Sequence, residues 1–123
     1  MMLRESVEAE GQTVDLIGVV RGPDAVDESL PAGRELAVFA DAIIRGSDEE
    51  LAAARETLRE VVGPQEMADA AGVTGYFECV NRIADGTGLP LDERVLPWCK
   101  GIREELGLDS FPTAIHTLGS NEP

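Results

Sequence analysis

The stretch Pro64-Gln-Glu-Met-Ala-Asp-Ala-Ala-Gly-Val-Thr-Gly-Tyr-Phe-Glu-Cys-Val-Asn-Arg-Ile-Ala-Asp-Gly-Thr-Gly-Leu-Pro-Leu-Asp92 decides how the rest of the chain is read. Met67, Ala70, Val73, Phe77, Val80 and Ala84 follow one another at steps of three or four residues, and Tyr76 and Ile83 widen the same face. That is the period of a half-buried helix. Glu66, Asp69, Glu78, Arg82 and Asp85 fall mostly on the other side. Pro64 suits a first helical turn, where its missing N–H would have had no partner, and Gly86 or Gly88 suits the left-handed position before Pro90. Gly75 sits mid-helix at a cost of roughly 1 kcal/mol relative to Ala. Its presence predicts that another helix crosses close by.

Outward toward the N-terminus, Ser47 followed by Asp48, Glu49 and Glu50 spells a capping box with an acidic first turn. Leu51, Ala54, Leu58, Val61 and Val62 then form the stripe of a helix ended by Gly63. Before it, Ala32 to Arg45 carries Leu36, Phe39, Ala40 and Ile43 on one face, thickened by Val38, Ala42 and Ile44, which predicts a helix buried on two sides. Gly22 to Pro31 reads as a loop. Val14, Leu16, Ile17, Val19 and Val20 fit strand or helix on periodicity alone. Leu3 to Ala9 reads as the tail of a helix stopped by Gly11. Toward the C-terminus, Asp92 is a suitable N-cap for a helix over Glu93 to Leu106, with Val95, Cys99, Ile102 and Leu106 in register and Pro97 marking a start or kink. Gly107 ends it, a further turn is expected around Phe111 and Pro112, and Gly119 to Pro123 is expected to fray.

Two of these segments carry a resemblance. Phe77-Glu78-Cys79-Val80-Asn81-Arg82-Ile83-Ala84-Asp85-Gly86-Thr87-Gly88-Leu89-Pro90-Leu91 resembles the last signature helix of the alkylhydroperoxidase D-like (AhpD-like) proteins, the carboxymuconolactone decarboxylase family. In that family the helix reads as an aromatic pair, then Asn-Arg-hydrophobic-Ala-Asp, then a Gly-hydrophobic-Pro exit. Leu30-Pro31-Ala32-Gly33-Arg34-Glu35-Leu36-Ala37-Val38-Phe39-Ala40 is similar to the family's Leu-Pro, Arg, Leu-x-x-Phe-Ala helix, and the resemblance spans Glu8 to Asp92, about two thirds of 123 residues. It implies an AhpD-like all-α fold of five to six helices in one domain over residues 1–123, and a short helix over the ambiguous Val14 to Val20 run. It also implies assembly through apolar helix faces, as a dimer or trimer. The redox motif of the family, Glu-x-x-Cys-x-x-Cys-x-x-x-His, has no counterpart, because no Cys-x-x-Cys occurs anywhere in the chain. Met1 to Gly11 aligns with the end of the missing catalytic helix, so the chain reads as a shortened relative or as one whose start lies upstream of Met1.

Charge narrows the function further. Against 10 Lys and Arg stand 24 Asp and Glu, a formal charge of −14. Such a field repels phosphate backbones and anionic headgroups, so nucleic acid and membrane surfaces are not expected partners. Apolar residues make up 43% and aromatics 4%, so the core must come from Ala, Val, Leu and Ile. No apolar run approaches the roughly 20 residues of a bilayer span, and the N-terminus has no signal-peptide core. Cytoplasmic location and reduced thiols at Cys79 and Cys99 are the expectation.

Chemistry has few candidates. Cys79, beside Arg82, is either a single reactive thiol stabilised by that cation or a small buried hydrophobe. Cys99 reads as buried, and the two thiols could pair if the last long helix folds back on the central one. His116, the single histidine, has no charged neighbour in sequence to position it for acid–base work. Glu78, Asn81, Arg82 and Asp85 stand at helical spacing and read as an ion pair with polar caps, or as the lining of a small-anion pocket walled by Trp98. No metal or cofactor motif is present. The expected function is a non-redox assembly or small-molecule-binding module; the alternative is a one-cysteine or split-site hydroperoxide reductase.

Overall fold

The structure, a computed structural model, describes residues 9, 11 and 13–119; these are all-α, with no strand among them. The order is α1 (Gly18–Arg21), a 3-10 turn (Pro23–Ala25), α2 (Gly33–Arg45), α3 (Asp48–Val62), α4 (Pro64–Thr87), α5 (Leu96–Leu106), 3-10 turns at Leu108–Ser110 and Pro112–Ala114, and α6 (Ile115–Leu118). The helix tail expected over Leu3 to Ala9 and the fraying expected beyond Gly119 lie almost wholly outside the described residues.

The α2–α3 hairpin forms as the residues dictate. Glu50 N–H donates to Ser47 Oγ at 3.2 Å and Ser47 N–H donates to Glu50 Oε2 at 2.7 Å, closing the capping box. These contacts hold the Glu50 carboxyl below the usual carboxylate range. Phe39 and Ala42 of α2 meet Ala54 and Leu58 of α3, and Leu58 is 0% exposed. α3, α4 and the first 3-10 turn all pack on α2, yet Leu36 and Ile44 remain exposed, so its broad apolar surface is covered only in part. Met67, Ala70 and Ala71 complete this first core from the N-terminal third of α4.

A second cluster lies elsewhere. Val14 and Leu16 are buried against Leu106 of α5, with Ile17, Val20, Leu30 and Ile102 around them. Residues 13–16 are not helical, and the short helix expected there shrinks to one turn at Gly18–Arg21. The cause is local: Asp15 N–H donates to Asp27 Oδ2 at 2.7 Å, and Asp15 Oδ1 accepts from Ile17 N–H at 2.8 Å, which holds this segment open until the helix begins. At Gly18 the chain passes close to itself, since a Cβ there would lie 2.8 Å from Val26 Cα. No such neighbour exists at Gly75, where a Cβ would meet nothing within 4 Å. The helix crossing predicted at Gly75 is therefore absent among the described residues.

The greatest departure concerns α4. It starts at Pro64 and ends at Gly88, whose left-handed φ of 62° marks it rather than Gly86 as the stop. No residue of α4 is buried. Helical geometry explains why the predicted stripe fails to stay inside. A residue advances about 100° around the axis, so each three-residue step turns back about 60°. Met67 to Ala70 to Val73 takes two such steps, carrying the apolar stripe about 120° away from the packed face. Val73, Tyr76, Phe77, Val80 and Ile83 consequently face outward. The α5 boundary also shifts: the helix starts at Leu96 with Pro97 in its first turn, and Asp92 binds Arg94 instead of capping.

Candidate functional site

The second half of α4 presents three different surfaces to its surroundings. Its bulky apolar side is open, with Tyr76 at 66% and Phe77 at 58% exposure and the two rings packed edge to face at 5.6 Å. Beside it runs the polar set predicted from spacing. Arg82 Nε donates to Glu78 Oε1 at 2.6 Å, so the expected ion pair forms. Asn81 stands exposed and joins neither Glu78 nor Asp85. The four polar residues thus do not line one pocket; Asp85, one turn further on, belongs to a different place. Cys79 is exposed on the remaining side of the helix, a correction to the reading of a buried thiol.

Asp85 opens onto a cavity of about 400 Å³ between the C-terminal end of α4, the following loop, α5 and the last turns of the chain. Leu89, Leu91, Ile102, Phe111 and Leu118 make its wall hydrocarbon. Polar groups enter it from α5 and α6. The Arg103 side chain is only 15% exposed, and its Nε and Nη2 reach Asp109 Oδ1 at 2.8 and 2.6 Å. Asp109 beside it holds the guanidinium still more firmly protonated, and the Cys99 sulfur also lies within its reach. Cys99 is buried as expected, its thiol directed at Leu96 O at 3.6 Å. Thr117 Oγ1 accepts from Leu91 N–H at 2.9 Å, tying α6 to the loop after α4.

His116 is drawn in by the same tie. Its imidazole packs on Gly88, where a Cβ would sit 3.3 Å from Nδ1, and it lines the cavity together with Asp85 and Arg103. The absence of charged neighbours in sequence concealed neighbours in space. Trp98, expected to wall a pocket or seal the last helix, does neither and is 78% exposed. It precedes Cys99 by one residue, so it points about 100° away from the buried face of α5. Cys79 and Cys99 are both free.

A larger cavity of about 640 Å³ lies between the first 3-10 turn, α2 and α3. Arg34 pairs with Asp24 and Arg45 with Asp41 along it, so its cations are already satisfied by the chain. None of Glu78, Cys79, Asn81, Arg82, Asp85 or Trp98 lines it. Among the described residues no group of His, Cys, Asp and Glu is arranged to hold a metal ion, and no helix is long and apolar enough to cross a membrane. Comparison of the chain with protein-family models, with curated proteins and with solved structures finds no match.

Proposed function

We propose that the chain is a non-redox helical module that works by self-association, packing the outward face of α4 against a second copy. The observation that carries this is the run Val73, Tyr76, Phe77, Val80 and Ile83, all large, apolar and exposed along one helix. Contiguous apolar surface of this kind marks an interaction site on a soluble protein. The resemblance to the AhpD-like family supports the same reading, since its members assemble through apolar helix faces and this chain lacks their dithiol. A second copy is the natural occupant because an isologous contact matches the patch to itself.

Sedimentation at micromolar concentration tests the proposal. A dimer is expected for the natural chain, and Phe77→Glu combined with Ile83→Glu should give a monomer of unchanged helicity, since neither side chain supports an internal core. A natural chain that stays monomeric up to about 100 μM, well above the concentrations at which specific interfaces of standard size associate, would count against it.

A second reading, reduction of hydroperoxides by a single thiol, draws on the contact between Cys99 and Arg103. Attack of that sulfur on a peroxide oxygen would release an alcohol and leave a sulfenic acid for an added dithiol to reduce. Dithiol-dependent consumption of an organic hydroperoxide, lost in Cys99→Ala and kept in Cys79→Ala, would establish this reading over the first.

A further inference from the structure

The cavity between α4, α5 and α6 has an electrical imbalance. Its Arg103 guanidinium is satisfied by Asp109, and Thr117 by Leu91. The Asp85 carboxylate has no hydrogen-bond or ion-pair partner among the described residues. Asp85 is exposed at this cavity, whose apolar wall comes from Leu89, Ile102, Phe111 and Leu118. An apolar guest filling this space would strip water from Asp85 and leave a carboxylate uncompensated, which is costly unless the guest supplies the opposite charge. An organic anion would meet that same carboxylate in a chain of net charge −14, and the nearest cation is already occupied.

We infer that the cavity binds a small organic amine, its ammonium held by Asp85 and its apolar body lying among Ile102, Phe111 and Leu118. The volume of about 400 Å³ lies at the small end of the range for ligand sites, which suits a single ring on a short chain. The Phe111 ring adds a face on which a cation is attracted. His116, packed on Gly88, also lines the space the guest would fill. This inference stands independently of self-association, because none of the outward residues of α4 lines the cavity.

Titration calorimetry on the full chain, with amide chemical shifts as a second readout, tests it using three probes of one shape: 2-phenylethylamine, 2-phenylethanol and 3-phenylpropanoate. The amine should bind at least about tenfold more tightly than the alcohol, the size expected of one charge-assisted contact, and shift the amides of α5 and α6. In Asp85→Asn the amine and the alcohol should bind alike. Asp69→Asn, the same charge change two thirds of the way back along α4, should leave the preference intact and so separates a local contact from net charge. The inference is overturned if the propanoate binds as tightly as the amine, if no probe binds, or if the preference survives Asp85→Asn in a variant whose melting curve shows it folded.

Discussion

Asp27 shows what a single side chain does in this structure. Its Oδ2 accepts from Asp15 N–H and its Oδ1 from Ser29 N–H at 2.9 Å, so one carboxylate joins the loop before α2 to the segment that fills the second core. The Asp15 contact, followed by those with Ser29, holds its carboxyl below the usual range. A lowered folded value means stability that is fully present above the unfolded value of about 4 and lost as pH falls through the folded one. Asp27→Ala should therefore melt below the natural chain at pH 7, and the gap between the two melting curves should close as pH falls below the unfolded value of about 4. A gap that is constant with pH would assign the effect to packing instead. No motif in the sequence pointed to Asp27; its partner is 12 residues away and lies in a segment whose own conformation was ambiguous.

Helix α4 is the longest of the described elements. Gly72 and Gly75 occupy an open side of it, with nothing within 4 Å of either missing Cβ. Gly75→Ala should raise the unfolding free energy by about 1 kcal/mol, the helix-interior penalty of glycine, as measured by urea denaturation. A loss of stability would mean that the natural assembly closes on this side of the helix. The helix itself was legible from Pro64 to Gly88, as were the capping box at Ser47 and the stops at Gly63 and Gly107, because each is a local signal read within one turn. What was not legible is which part of the apolar stripe faces inward. Periodicity shows that a stripe exists, and only the partner helices decide where it is covered; α2 and α3 cover Met67 to Ala71 and then end. The candidate cavity escaped notice for a similar reason. Asp85 was recognised, but Arg103, His116 and Thr117 come to it through the fold-back of the chain after α5, which no spacing records.

For the whole molecule, charge and apolar surface act against each other. Copies of a chain with 24 acidic and 10 basic residues repel when they approach. Screening shortens that repulsion from about 30 Å at 0.01 M salt to about 10 Å at 0.1 M. Association through α4 should accordingly tighten as sodium chloride is raised over this range, read as a falling dissociation constant in sedimentation. An interface built from opposite charges would weaken instead.

The two hydrophobic clusters have no buried residue in common: Phe39, Ala42, Ala54 and Leu58 hold one end, and Val14, Leu16 and Leu106 the other. Regions that share few packed neighbours open separately, each at its own free energy. The end built on α5 can thus breathe while the α2–α3 hairpin keeps the base of α4 rigid, so a guest could slip into the Asp85 cavity without loosening the platform from which two copies would grip each other.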